Sequence, residues 1–251
     1  MLTSLIIPIY NEAGHLAELL NLLDSIDIGG PKELVFIDDC SKDQSFQILK
    51  EFQFKSKVQI LRNEINQGKG ASLHKGIDAA TGEIVVIQDA DFEYDPRDLK
   101  DLIERLRINK ADIVYGSRFK KSSYAVHRTF HYLVNRFLTL MSNATSGLYL
   151  TDMETCYKIF RADIIKNIHL ESRRFGFEPE VTAKIARLKV RVEELPISYH
   201  PRSYLEGKKI TWKDGVAALY QIVYYNIMVS KKDYFKESMP SKYLIGFQKW
   251  L

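Results

Sequence analysis

Five short apolar runs, rich in β-branched residues, recur through the first half of the chain at positions 5–9, 34–38, 58–61, 84–88 and 112–115. Each is separated from the next by a helical pattern. Runs of this length suit strands buried on both faces. Leu16, Leu19, Leu20 and Leu23 share one helical face, and Ile48, Leu49 and Phe52 share a second, which Ser41 and Gln44 would open as a capping box. Leu73, Ile77 and Ala80 form a third face, with Gly82 read as its C-cap. Leu99, Leu102, Ile103 and Leu106 form a fourth behind an Asp95-Pro96 cap. Strand–helix alternation requires crossover connections, so the fold class read here is α/β: a mostly parallel, Rossmann-like sheet flanked by helices. Ligands of such sheets gather at the carboxyl ends of the strands, so the chemistry is to be sought there.

The second half is less regular. Residues 118–150 begin basic and aromatic and then run into a helix. Residues 190–195 and 197–200 read as short strands split by Pro196, and Trp212, Val216, Leu219, Val223 and Ile227 space a C-terminal amphipathic helix. The expected division is a catalytic-type domain over 1–210 and a helical extension over 211–251. At 251 residues and 45% hydrophobic content the chain can build a large core, which excludes a disordered protein. Two cysteines do not make a disulfide scaffold and suit a reducing compartment. No run approaches the roughly 20 apolar residues of a spanning helix, and residues 1–12 lack the basic flank of a signal peptide. The expectation is a soluble, cytoplasmic protein. Lys plus Arg at 36 against Asp plus Glu at 32 gives +4, which does not point to nucleic acid.

Four strand ends carry polar clusters. After the fourth strand, Asp89, Asp91 and Glu93 alternate along an extended segment and can converge on one face. Hard oxygen donors of this kind suit Mg²⁺ or Mn²⁺, completed by substrate phosphates; the plainer alternative is a solvated turn before the Pro96 helix. After the first strand come Tyr10, Asn11 and Glu12, and after the second Asp38, Asp39, Cys40 and Ser41. Asn11 and Ser41 read as helix caps. A carboxylate beside them can accept from a nucleobase N–H, with Tyr10 as a stacking face. Asn66-Gln67-Gly68-Lys69-Gly70 opens the helix after the third strand, where backbone N–H groups favour anions. Neither G-x-G-x-x-G nor G-x-x-x-x-G-K-[ST] occurs, which disfavours dinucleotide oxidoreductases and P-loop NTPases. The histidines lack metal-ligand spacing, and no nucleophile elbow is present. Arg202, Lys208 and Lys209 form either a solvated basic loop or a phosphate clamp.

Taken in order, these residues resemble glycosyltransferase family 2, inverting enzymes of the GT-A fold, and within it the branch of dolichyl-phosphate mannose and glucose synthases. The resemblance runs over about residues 3–215. It rests on Ile7 to Glu12, Ile37 to Ser41, Asn66 to Gly70, Asp89-Ala90-Asp91, Gly116-Ser117-Arg118, Thr151 to Thr155, Phe175 to Glu178 and Glu194 to Ile197. It implies that Pro8, Tyr10, Glu12 and Asp39, with Lys69 and Asp89, hold the nucleotide, and that Asp89, Asp91 and Glu93 hold a Mg²⁺ or Mn²⁺ ion and the diphosphate. It puts Arg118 and Arg202 near phosphates and Asp152 and Glu154 near the sugar or acceptor, with Glu178 supporting that side. The reaction expected is inverting, metal-dependent transfer from a nucleotide-diphosphate sugar to a polyprenyl phosphate, whose second pKa of about 6 leaves it anionic at neutral pH. A saccharide or protein hydroxyl as acceptor would instead need Asp152 or Glu154 as base. A sugar-phosphate nucleotidyltransferase would want a glycine-rich basic loop after the first strand, which Pro8 to Glu12 is not; a non-catalytic nucleotide-sugar module is the remaining alternative.

The basic segment 118–136 reads as an acceptor loop, with Arg128 and His131 as candidates for a lipid phosphate, or as a helix packed through Phe130, Leu133 and Phe137. Tyr220, Tyr224, Tyr225, Met228, Lys231 and Lys232 give the last helix an interfacial character; core packing or a dimer face explains its apolar stripe as well. Many members of that branch carry C-terminal membrane helices that this sequence lacks. The expected route to a lipid acceptor is therefore peripheral contact at the cytoplasmic membrane face or a separate membrane-anchored partner. A homo-oligomer is compatible with the sequence.

Overall fold

The computed structural model describes residues 1–120, 129–201, 212–230 and 233–245. The five expected strands form as β1 (Thr3–Ile9), β2 (Lys32–Asp38), β3 (Lys57–Arg62), β4 (Ile84–Ile87) and β5 (Ile113–Ser117). Two more complete the sheet, β6 (Lys158–Arg161) and β7 (Val192–Pro196), in the order β3-β2-β1-β4-β6-β5-β7. Every pairing is parallel except those of β6, which runs antiparallel between β4 and β5. The helices between strands are α1 (Ala13–Ser25), α2 (Ser45–Glu51), α3 (Lys69–Ala79) and α4 (Leu99–Arg107). They are followed by α5 (Thr129–Ser146), a short α6 (Ala162–Ile165), α7 (Phe177–Ile185) and α8 (Trp212–Val223), whose end continues as one π-helical turn, Tyr224–Met228. The Leu16, Leu19, Leu20 and Leu23 face of α1 and the Leu99, Leu102, Ile103 and Leu106 face of α4 are buried as expected. Asp95 caps as read from the sequence, accepting from the Arg97 N–H.

Several local expectations are corrected. Ser41 and Gln44 form no capping box. The Ser41 hydroxyl accepts from the Asn11 N–H, and Asn11 Oδ1 accepts from the Lys42 N–H, so the loops after β1 and β2 are stitched to each other. Asp43 and Ser45 take over the capping, accepting from Ala13 N–H and Glu12 N–H at the start of α1. Gly82 does not cap α3, which ends at Ala79; it sits where a Cβ would lie 2.6 Å from the Leu2 carbonyl oxygen, so its role is close approach. Pro196 ends β7 instead of splitting two strands. The buried side of the last helix is Ala218, Ile222 and Tyr225, while Val216 and Ile227 of the expected stripe stay in solvent. The π-helical turn breaks the 3.6-residue period at Ile227, whereas Val216 lies on the regular part of α8. Residues 233–245 then return to the body, with Lys236 N–H donating to Asn167 O at 2.9 Å and Lys189 N–H to Tyr243 O at 2.8 Å.

Glu33 on β2 is a buried carboxylate that ties the sheet to the turn after α3. It accepts from Ser4 Oγ at 2.5 Å, Thr81 Oγ1 at 2.7 Å and Lys57 Nζ at 2.8 Å. Burial pushes its carboxyl up, but Lys57, Ser4 and Thr81 more than reverse this and hold it down at about 2. A folded-state value below the ordinary 4.5 stabilises the fold above that pH, and the contribution disappears as pH falls toward 2. Glu33→Gln is therefore expected to cost about 2–3 kcal/mol at neutral pH. In urea titrations the gap to the parent protein should narrow between pH 5 and pH 2; a gap independent of pH would contradict this.

Candidate active site

The chain leaves β1 toward β2 on one side and reaches β4 on the other, so the sheet has its topological switch between β1 and β4. Pro8 marks the opening. The Ile6 carbonyl accepts from Gln88 N–H on the β4 side, the Ile9 carbonyl accepts from Asp39 N–H on the β2 side, and β4 pairs no further than Ile6. Backbone groups of Pro8 thus face the side that β4 has already left, and the missing N–H costs no ladder bond. The loops leaving β1, β2 and β4 each contain a non-glycine residue at left-handed φ: Asn11 at 55°, Cys40 at 60° and Phe92 at 57°. Such strain collects where loops are shaped for a ligand.

Asp39 organises the loop before α3. It is 3% exposed, and its oxygens accept from Asn63 Nδ2, Asn66 Nδ2, Gln67 N–H and Gly68 N–H, all between 2.8 and 2.9 Å. A nucleobase N–H reaching Asp39 would displace one of these. The N-terminus of α3 is not an anion site: Gly70 N–H and Ala71 N–H donate to the carbonyls of Arg174 and Arg173. Gly70 is required for that approach, since a Cβ would lie 2.0 Å from the Ser172 carbonyl oxygen. The loop before α7 has taken the place that sequence reading gave to phosphate.

Lys69 points from α3 into the switch crevice and bridges two carboxylates, Asp89 Oδ1 at 2.9 Å and Glu178 Oε1 at 3.0 Å. Burial works against the ammonium, and Asp89 followed by Glu178 more than offsets it, so Lys69 is held well above the usual lysine range. Asp89 is thereby engaged with a cation. Glu93 accepts from Tyr199 OH at 3.0 Å, and Asp91 Oδ1 accepts from Glu93 N–H at 3.1 Å. Among the described residues, no three His, Cys, Asp or Glu side chains are grouped to share one ion. The donor set therefore fits an ion held by one carboxylate, Asp91, and completed by ligand phosphates; Mg²⁺ sites are commonly built so.

Across the crevice, Arg118 follows β5 and is clamped to Asp152. Nε and Nη2 donate to Oδ2 and Oδ1, both at 2.7 Å, and the Arg118 N–H adds a third bond at 3.0 Å. Asp152 is wholly buried and Arg118 8% exposed. Glu194 on β7 supports the pair from behind, accepting from Thr151 N–H at 2.8 Å and Asp152 N–H at 3.0 Å. From α5, Thr139 Oγ1 accepts from Met153 N–H, Asn143 brackets Leu150, and Arg136 Nη1 donates to the Thr151 carbonyl. Glu154 follows on this segment. Burial and then Glu178 push its carboxyl up to about 7, against the pull of Lys158 and Arg118. Lys158 is a fully buried ammonium on β6 that donates to the carbonyls of Met153 and Thr155.

The structure thus gathers Pro8, Tyr10, Glu12, Asp39, Lys69, Asp89, Asp91 and Glu93 around the β1, β2 and β4 ends, with Arg118, Asp152 and Glu154 around the β5 end. Arg128, Arg202, Lys208 and Lys209 lie outside the described residues, and His131 lies on α5 with its side chain outside them. Sequence reading missed Lys158 and the support given by Glu194. A lysine in a strand flanked by Tyr157, Ile159 and Phe160 was the available signal for the first.

The fold is that of the GT-A glycosyltransferases, and solved glycosyltransferase structures share it. The chain belongs to the family described as Glycosyl transferase family 2, whose model matches residues 4–168. It is 30% identical to an undecaprenyl-phosphate mannosyltransferase of Micrococcus luteus, over 81% of this chain and 85% of that one. It is 28% identical to a dolichol-phosphate mannosyltransferase of Pyrococcus furiosus, over 84% of this chain and 61% of that one. A dodecaprenyl-phosphate galacturonate synthase of Rhizobium johnstonii matches at 26% over 80% of this chain and 60% of its own length. This chain therefore spans about three fifths of the last two relatives. Among solved structures, glucosyl-3-phosphoglycerate synthase of Mycobacterium tuberculosis with Mn²⁺, UDP and phosphoglyceric acid superposes at TM-score 0.69 and 14% identity, over 91% of this chain and 79% of that one. Mannosyl-3-phosphoglycerate synthase of Rubrobacter xylanophilus gives 0.66 at 13% identity, over 90% and 72%. At such identities these two speak for the fold.

Removing one member of the Arg118–Asp152 pair leaves a buried charge unpaired, which costs about 3–5 kcal/mol, whereas removing both is milder. Thermal unfolding of Arg118→Met, Asp152→Asn and the double variant is expected to put the double variant above at least one of the singles. Strictly additive losses would contradict the clamp.

Proposed function

We propose that this glycosyltransferase moves a sugar, with inversion, from a nucleotide-diphosphate sugar to a polyprenyl phosphate, using Mg²⁺ or Mn²⁺. The observation that carries the choice of acceptor is the occupancy of the candidate bases. Of the two candidate bases, Asp152 has both oxygens held by Arg118 and takes no proton from a hydroxyl without first giving up a buried cation, and Glu154, pushed up to about 7 by burial and by Glu178, keeps its own proton below that pH. A phosphate acceptor is already anionic and needs no base. The Micrococcus, Pyrococcus and Rhizobium relatives are likewise named for polyprenyl phosphate acceptors.

In this reading the nucleoside lies against the stitched loops after β1 and β2, with Tyr10 beside the base. Lys69 fixes the Asp89 carboxylate on the donor side and the Glu178 carboxylate on the acceptor side, so the two halves keep one spacing. Asp91 would hold the divalent ion, which supplies charge neutralisation for the departing diphosphate. Arg118, preset by Asp152 and Glu194, offers its guanidinium to phosphate oxygens without reorganising.

No helix among the described residues is long and apolar enough to cross a membrane. The acceptor is met instead through α5 and α8, which pack on each other. Leu133, Phe137 and Leu140 stand in solvent on α5, with Leu133 58% and Leu140 63% exposed; Val216, Tyr220, Ile227 and Met228 do so on α8 and its last turn. The alternative of α5 packing through Leu133 and Phe137 is not what forms: Leu138 turns inward instead. Exposed apolar stripes on a helix pair suit the headgroup boundary of a bilayer.

Incubation with labelled UDP- and GDP-sugars, undecaprenyl or dolichyl phosphate and Mn²⁺ should carry label into the organic phase, and Asp91→Asn should lower that transfer by about 10²–10³-fold. Label appearing only on saccharide or protein would contradict the reading. Phe137→Ser with Leu140→Ser should reduce flotation with anionic vesicles several-fold and leave the melting temperature unchanged; unaltered flotation would remove the membrane role of α5.

A further inference from the structure

Glu154, on the segment that carries Asp152, is a carboxyl group that the mechanism above does not use. Glu154 Oε1 is shielded from solvent and has no hydrogen-bond partner. The charged groups that act on it most strongly are Glu178 on α7, Lys158 on β6, Arg118 after β5 and Asp152 on its own segment. The cations among them are already assigned. Arg118 is clamped to Asp152, Lys69 lies between Asp89 and Glu178, and Lys158 donates to two backbone carbonyls. Lys69, Arg118 and Lys158 stand against Asp89, Asp152, Glu154 and Glu178, so the cluster carries one more carboxyl than basic group, and burial holds the Lys158 ammonium below the usual lysine range. A carboxylate with one oxygen shielded from water and without a partner, beside another carboxylate, is disfavoured, and the least costly way to balance the cluster is to keep a proton on that group. That group is Glu154.

We propose that Glu154 works as a hydrogen-bond donor to the acceptor phosphate, its neutral carboxyl group pointing an O–H at a phosphate oxygen while Arg118 supplies the charge. This rests on the polyprenyl-phosphate reading given above. It is the opposite of a general base: the proton stays on Glu154 throughout, and nothing is abstracted from the acceptor. An ionised carboxylate at this position would repel the phosphate, whereas a carboxylic acid adds a short bond to it. The raised titration of Glu154 agrees with the geometry, and an anionic ligand beside it must raise it further, because each additional negative charge disfavours ionisation. The sign is testable. Binding through the acid form weakens as pH rises past the Glu154 midpoint, whereas a base loses activity as pH falls through it.

The test uses the full chain with ¹³C-labelled glutamate, the Glu154 Cδ resonance being assigned by its loss in Glu154→Gln. Titration of the free protein should give a midpoint near 7, and farnesyl phosphate should move it upward by at least half a unit. UDP in place of farnesyl phosphate should leave it in place, and inorganic phosphate should reproduce the rise only at much higher concentration. Glu154→Ala should weaken farnesyl phosphate binding about tenfold, one hydrogen bond to a charged group, and Glu154→Gln, which keeps an N–H donor, should recover most of it. A midpoint in the ordinary glutamate range, a downward shift with farnesyl phosphate, a rise with UDP alone, or a glutamine variant as poor as alanine overturns the inference. Sugar transfer to the lipid phosphate is read separately. Transfer with an unmoved midpoint overturns the donor role and keeps the acceptor reading. No transfer with an upward shift supports the donor role and removes the acceptor reading.

Discussion

The Lys69 ammonium is the contact on which the geometry of the crevice depends. It joins three elements distant in sequence: α3, the acidic end of β4 through Asp89, and the start of α7 through Glu178. An isolated buried ammonium would be costly, and so would either carboxylate alone; together they balance. The consequence is a fixed distance between the acidic end of β4 and the start of α7. Arg118 and Asp152 repeat the device across the crevice, one charge pair setting the direction of one functional group. In both cases the ion pair serves orientation more than stability, because the desolvation it incurs offsets much of its attraction.

Around these pairs the backbone is shaped by reciprocal loans between loops. Asn11 and Ser41 stitch the first two strand ends, Asp39 gathers the turn before α3, and the carbonyls of Arg173 and Arg174 occupy the N–H groups of that helix. The strained residues Asn11, Cys40 and Phe92 fall in the same loops. A crevice built this way is shaped before any ligand arrives, which suits chemistry that works by positioning and by fixed charge.

Much of the fold was legible because strands buried on both faces and one-sided helices leave period signals in sequence. The five β-branched runs became β1 to β5, and the leucine faces of α1 and α4 are buried where the spacing put them. The strand ends with Asp39, Asp89 and Arg118 were legible for the same reason. What was not legible is which polar group meets which. Ser41 looked like a cap and is a staple between loops; the Gly68–Gly70 turn looked like an anion cradle and holds another loop; β6 runs antiparallel without any local mark of direction. Glu194 acts through Thr151, dozens of residues away, which no local pattern reveals, whereas Lys158 meets the nearby carbonyls of Met153 and Thr155 and its only local mark is its apolar and aromatic neighbours in β6. The last helix misled because apolar Val216 on its regular part faces solvent, as does Ile227 in the π-helical turn, while Ala218, Ile222 and Tyr225 form the buried side.

The central claim is that the nucleophile is a phosphate oxygen. Phosphorus NMR of farnesyl phosphate turned over with the correct donor reads this directly. The account predicts that the phosphomonoester resonance is replaced by that of a phosphodiester, with the sugar joined through phosphate. A product in which sugar is bound while every phosphomonoester stays unchanged would contradict it.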